Sequence, residues 1–324
     1  MFYTHTEFKL SRFYLLIISV CLSTNFYAFS IAAQEQATAQ EQTASSDETK
    51  SIKENTNTDK TDNAAESSTE NRVIPAPVSL NEQQTSDINH YLTSSEIKPL
   101  LAGPNDFITL IKESTAANTK GVAILLADWQ QTATNPKGLN FLRNSMPKQG
   151  WTTISIQPPS KPDNYPSQAL KKSDRQAENL KTITDYQSQL SAIIETVMEK
   201  AHEYPGIFIV IAQGSHGAIL TDLYQLGKNP PPNALILLSS YMYSEEENEH
   251  FATSIAQSSF PVLDLYLTRD HSLATKSAIL RLSKTKQTMK AFYRQRQLTN
   301  LSSSYYPQES LKIAIKGWIT SIGW

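Results

Sequence analysis

The sequence predicts an α/β domain with a mostly parallel central sheet and helices on both faces. Three observations carry that expectation. After about residue 115, short apolar runs alternate with amphipathic stretches, which is how successive βα units read. The most apolar run, Ile207 to Ala212, is followed at once by Gln213-Gly214-Ser215-His216-Gly217 and a helix-forming segment. The chain then closes on Leu311, Ala314, Ile315, Trp318, Ile319 and Ile322, apolar residues at helical spacing.

Lys9 and Arg12 precede an apolar run from Phe13 to Leu22, and small residues follow at Ser30, Ala32 and Ala33. That is the layout of a secretory signal over residues 1–33, with cleavage expected near Ala32 or Ala33 and Ala28 as the alternative site. The run falls well short of the ~20 apolar residues of a spanning helix, so no stable membrane span is expected after cleavage. A lipid-modified Cys21 is disfavoured because Val20 stands where lipoprotein signals carry a small residue. The implied address is the periplasm. Residues 34–75 are mostly Gln, Glu, Thr, Ser, Asn, Asp, Lys and Ala, with no aromatic side chain. Such a segment cannot bury enough apolar area to offset its chain entropy, and it reads as a disordered polar linker.

Residues 76–324 then form a single folded domain. Residues 87–116 read as helical in patches, with a turn at Gly103-Pro104-Asn105-Asp106. Gly121–Ala127 is a buried strand. Asn135-Pro136 offers a helix start, with Asn as cap and Pro at the first position; Leu139, Leu142 and Met146 share one face, and Gly150 ends the unit. Trp151–Gln157 is the next strand, stopped by Pro158-Pro159, and residues 158–180 read as surface loop. Ile183 to Met198 carries helical periodicity. Strands follow at Ile207–Ala212, Ala234–Leu238 and Pro261–Leu267, with a polar helix over 245–258 and a basic helix over 272–287. Ala291–Gln297 is a last, more polar strand.

Composition narrows the function. Twenty-nine basic residues face 31 acidic ones, a formal charge of -2 with no long basic stripe, so nucleic acid is not an expected partner. The only cysteine is Cys21, inside the expected signal, which leaves a mature chain without disulfides, Cys-ligated zinc or a thiol nucleophile. No phosphate loop, His-Glu-x-x-His zinc pattern or dinucleotide fingerprint occurs, and no cofactor or metal is expected.

The order of elements over about residues 115–324 resembles the α/β-hydrolase fold. More narrowly, Gly121–Trp129, Gly150-Trp151 with its strand, Pro261-Val262-Leu263-Asp264, and Tyr293-Arg294 through Gly317-Trp318 resemble an exported bacterial family of α/β-hydrolase-like proteins of unknown function. The resemblance implies the fold and no established activity. It places the nucleophile elbow at 207–226, the triad acid at the strand ending in Asp270, and the triad His just before the closing helix.

Tested part by part, that catalytic set is damaged. With Ser215 as nucleophile, the small residues wanted two before and two after it are Gln213 and Gly217, and only the second fits. A rival register puts Gly214 at the tip, flanked by Ala212 and His216; glycine takes the strained turn at no cost but brings no nucleophile. Asp270 fits the acid position and would equally cap the helix beginning near Ser272. Asp264, a carboxylate inside an apolar strand, must be paired and reads as structural. None of His90, His202, His216, His250 and His271 lies between the last strand and the closing helix, where Tyr305 and Tyr306 stand instead. Without a base, a serine hydroxyl is a poor nucleophile. Ala127-Asp128-Trp129 replaces the glycine-bearing oxyanion loop, and an Asp there opposes a developing oxyanion. The expectation is a degenerate hydrolase-like protein that binds a cell-envelope component or small ligand, with Asp128, Trp129, Gly214 and His216 as candidate pocket residues. The alternatives are a divergent serine esterase using Ser215, Asp270 and His271, and a tethered structural protein with no ligand.

Overall fold

In a computed structural model of the protein, residues 76–324 are described; the expected signal and linker lie outside them. Among these residues, eight strands form one sheet: β1 (Ile97–Ala102), β2 (Asn105–Lys112), β3 (Gly121–Leu126), β4 (Trp151–Ile156), β5 (Ile207–Gln213), β6 (Ala234–Leu238), β7 (Val262–Leu267) and β8 (Tyr293–Leu298). Their order is β1-β2-β4-β3-β5-β6-β7-β8. β2 runs antiparallel to β1 and β4, and β3 to β8 are parallel throughout. This is the strand order of the α/β-hydrolase fold, its parallel strands joined by crossovers that carry helices.

Among the described residues, seven α-helices connect and cover the sheet: α1 (Leu80–Tyr91), α2 (Leu139–Ser145), α3 (Lys172–Ala201), α4 (Ser215–Gln225), α5 (Glu245–Gln257), α6 (Ser272–Gln287) and α7 (Gln308–Ser321). One face of the sheet packs against α3, α4 and α5 through Leu190, Ile194, Leu220, Leu223 and Ile255. The other packs against α2 and α7 through Leu139, Leu142, Leu311, Ile315 and Trp318. Every residue of β3, β4 and β6 is buried, as parallel strands covered on both faces require. Each fully buried Leu or Ile contributes about 1.5–3 kcal/mol relative to an exposed one.

Three sequence expectations change. The stretch expected to be helical at 87–116 is a helix only to Tyr91 and then a β-hairpin. Pro99 interrupts any alternation in β1, and an edge strand is where a sheet tolerates proline. The helix expected from Asn135-Pro136 begins four residues later, at Leu139; Asn135 Oδ1 instead accepts from the Lys137 N–H and closes a local turn. The loop expected over 158–180 ends early, because α3 starts at Lys172. Its first turns, Lys172 to Glu178, face solvent almost entirely and so show no apolar periodicity.

Register sets up the site. Leu126 pairs with Ala212, so the loops leaving β3 and β5 emerge side by side at the carboxyl edge of the sheet. Gln213 pairs with Leu238 and Leu267 with Leu298, which brings the loops after β6, β7 and β8 to the same edge. Open α/β sheets place their sites there.

Candidate active site

The β5–α4 turn resolves the elbow register. Gly214 stands at the tip with φ 58° and ψ -136°, and Ser215 is already the first residue of α4. The positive φ is the strained conformation that a hydrolase nucleophile occupies, and glycine meets it without penalty. Its neighbourhood is full. A Cβ added at Gly214 would lie 2.0 Å from Asp128 Cγ and 2.3 Å from each carboxylate oxygen. The Asp128 carboxylate therefore occupies the volume of a nucleophile side chain. Oδ1 of Asp128 accepts the Ser215 N–H at 2.9 Å, and the Trp129 N–H also points at the carboxylate. These are the two kinds of backbone donor, one after the elbow tip and one from the β3 loop, that serve a hydrolase oxyanion. Here a side-chain carboxylate holds them. Burial pushes the Asp128 carboxyl up to about 6, against the opposing pull of those two N–H groups and of the Lys137 charge.

The remaining candidates are buried beside the elbow and hold no catalytic arrangement with it. Ser215 Oγ is buried, with no hydrogen-bond partner among the described residues. His216 is wholly buried; Nδ1 lies 2.5 Å from the Ala127 carbonyl and Nε2 2.6 Å from the Tyr186 hydroxyl. A carbonyl only accepts, so Nδ1 carries the proton and Nε2 accepts from Tyr186. Burial takes this imidazole down to about 4, although the Ala127 bond acts the other way. His216 thus ties the β3 loop to α3 as a neutral ring. Trp129, 4% exposed, packs edge-on against Tyr165, Tyr186 and His216 and stacks on Tyr243. Asp128 keeps partial solvent exposure while Trp129 is buried among these rings.

Asp270 occupies the acid position at the end of β7, but its carboxylate faces no imidazole. Oδ2 accepts from Ser239 Oγ at 2.6 Å and from the Leu267 N–H at 2.9 Å, and Oδ1 accepts the His271 backbone N–H at 2.8 Å. The Tyr306 hydroxyl, 2.6 Å from Ser239 Oγ and 3.0 Å from the Leu265 carbonyl, divides its one proton between them. Tyr306 is buried in the loop where a triad His would stand, and burial raises its phenol well above the ordinary value. His271 is exposed. It caps α6 by accepting from the Leu273 N–H at 3.3 Å, and its ring stacks on Tyr241 at 4.7 Å. The structure thus gathers Asp128, Gly214 and Ser215 at the elbow and Asp270, Ser239 and Tyr306 beside it, without linking Ser215, Asp270 and His271 into a hydrogen-bonded relay.

Asp264 is paired, as its burial demands. Arg281, equally buried, grips it with two hydrogen bonds of 2.8 Å, and Tyr293 and Gln295 donate to the same carboxylate. Four residues at this edge were missed in the sequence. Ser239 and Arg281 carried no signal that singled them out. Tyr241 and Tyr243 pack edge-on against each other just after β6, at the carboxyl edge, and the repeated tyrosine soon after an apolar strand was a usable sign of them. Among the described residues, no three His, Cys, Asp or Glu groups approach closely enough to hold a metal ion.

Solved structures of low identity are similar to this chain. An α/β serine hydrolase homologue from Coxiella burnetii shares 11% identity at a TM-score of 0.49, covering 72% of this chain and 100% of that one. A serine hydrolase without a lid from Xanthomonas campestris shares 11% identity at 0.47, covering 71% and 96%. Esterase 2 of Thermogutta terrifontis shares 9% identity at 0.47, covering 72% and 97%. No curated protein sequence matches. One family profile spans residues 13–321, nearly the whole sequence, and its description is protein of unknown function, DUF3530. The chain belongs to the DUF3530 family of proteins of unknown function.

Proposed function

We propose that this protein is an exported, hydrolase-like domain that does not run the serine-hydrolase reaction and acts by binding a cell-envelope component at the carboxyl edge of its sheet. One observation carries the reading: Gly214 at the elbow tip, with the Asp128 carboxylate standing where a nucleophile would be and holding the Ser215 N–H. An acyl transfer there would need a nucleophile, a base and free oxyanion donors. Glycine supplies no nucleophile, Ser215 Oγ has no base beside it, and a negative carboxylate faces the donors. Export rests on the charged, apolar and small-residue layout of residues 1–33. The binding surface combines Tyr241, the 37% exposed Tyr243, exposed His271 and the Asp128 carboxylate.

A fluorophosphonate probe read by intact-protein mass tests the proposal. The expected result is no adduct on the wild type and none on Ser215→Ala. A stoichiometric adduct on the wild type that disappears in Ser215→Ala would overturn it and establish the esterase instead.

A further inference from the structure

At the opposite, amino edge of the sheet lies a cavity of about 250 Å³. Lys120, just ahead of β3, and Lys148, in the short 3₁₀ turn Met146–Gln149 before β4, line one side. Lys312 and Lys316, one turn apart on α7, line the other. The floor is apolar, made by Leu142, Met146, Trp151, Ile315 and Ile319. Lys312 already has a partner, Glu309, at 2.5 Å. Among the described residues, no carboxylate comes within ion-pair distance of Lys120, Lys148 or Lys316.

That arrangement disfavours the empty fold. Ammonium groups gathered around one cavity repel, and Lys312 and Lys316 at i,i+4 spacing add a like-charge pair that Glu309 relieves only at Lys312. A net charge of -2 over the whole chain makes three unpaired cations around one small cavity a local excess. What complements them is an anion, and the apolar share of the lining suits one that carries a short hydrocarbon body.

We infer that this cavity binds a small amphipathic anion, a phosphate or carboxylate head on a short hydrocarbon body. At about 30 Å³ for each water-sized group, the cavity holds roughly eight heavy atoms. The head sits among Lys148, Lys316 and Lys120, and the hydrocarbon lies on Trp151 and Ile319. Because the walls enclose so few atoms, the ligand is a freely diffusing molecule rather than a bilayer surface. The inference is independent of the elbow, which is at the other edge of the sheet.

Titration calorimetry on the full-length protein tests it, with butyl phosphate, a molecule of the size the cavity holds, as the probe and butanol and inorganic phosphate as controls. Butyl phosphate is expected to bind at least tenfold more tightly than either control. Lys148 and Lys316 are exposed, so Lys148→Gln combined with Lys316→Gln leaves the fold intact and is expected to weaken butyl phosphate at least tenfold. The matching double change to Arg is expected to stay within about threefold of wild type. No binding of butyl phosphate at millimolar concentration would overturn the inference, as would an affinity untouched by the Gln changes or matched by either control. Vesicles of an anionic phospholipid that bind the wild type but not the Gln variant, and displace butyl phosphate, would overturn its assignment to a free amphiphile.

Discussion

Replacing Asp128 by Asn removes a charge from the elbow while keeping an oxygen that accepts the Ser215 N–H at 2.9 Å. In the fold, burial lifts this carboxyl from 3.8 to about 6. A carboxyl with a higher pKa in the fold than in the unfolded chain binds a proton on folding between those two values. The folded state therefore gains stability as pH falls from about 6 towards 3.8, and at pH 8 it carries the full cost of a buried charge. Two pKa units correspond to about 3 kcal/mol. Asp128 is still partly exposed, and solvent screening reduces the figure to about 1–2 kcal/mol. His216 acts with the opposite sign. Its pKa is lowered from 6.5 to about 4, so its contribution is complete above pH 6.5 and is lost as pH falls through 4. The two windows overlap, and the wild-type profile alone does not separate them. The difference between variant and wild type does. Asp128→Asn is expected to be more stable than wild type at pH 8 by about 1–2 kcal/mol, a shift of roughly 0.5 M in the urea midpoint. That advantage is expected to vanish by pH 4. A variant that is less stable at pH 8, or whose difference from wild type is the same at pH 4 and pH 8, would refute a carboxylate buried at the elbow.

Two further outcomes follow from the same geometry. Ser215→Ala deletes a buried hydroxyl that has no partner, so thermal unfolding is expected to show a change within about 1 kcal/mol, neutral or stabilising; a loss above 2 kcal/mol would mean that Oγ makes a bond the structure does not contain. Arg281→Met leaves the Asp264 carboxylate buried without its ion partner and is expected to cost about 3–5 kcal/mol at neutral pH, with urea midpoints as the measure; adding Asp264→Leu should recover much of the loss.

How far the sequence led depends on whether an interaction was local. The parallel strands were legible because each is a short apolar run, and the closing helix because its apolar face repeats at helical spacing. That the segment from Leu298 to Pro307 carries no His was plain in the sequence itself. The elbow register was not. Gly214 and Ser215 are adjacent, and what decides between them is Asp128, 87 residues before Ser215, filling the space above glycine. Asp264 announced that it needed a partner, but Arg281 is one of several basic residues on α6, and only the packing of that helix on β7 selects it. The hairpin at 97–112 was hidden by Pro99 and by an edge strand with only one fully buried side chain.

The most direct measurement is a double-mutant cycle between Gly214 and Asp128. Serine at position 214 would place its Cβ 2.0 Å from Asp128 Cγ, so Gly214→Ser alone is expected to cost more than about 3 kcal/mol or to prevent folding. In an Asp128→Gly background, only the backbone strain of a non-glycine residue at φ 58° remains, about 1–3 kcal/mol, and the cost of Gly214→Ser should fall by at least half. If Gly214→Ser costs the same with and without Asp128, the carboxylate does not occupy the nucleophile's place, and the account of this elbow is wrong.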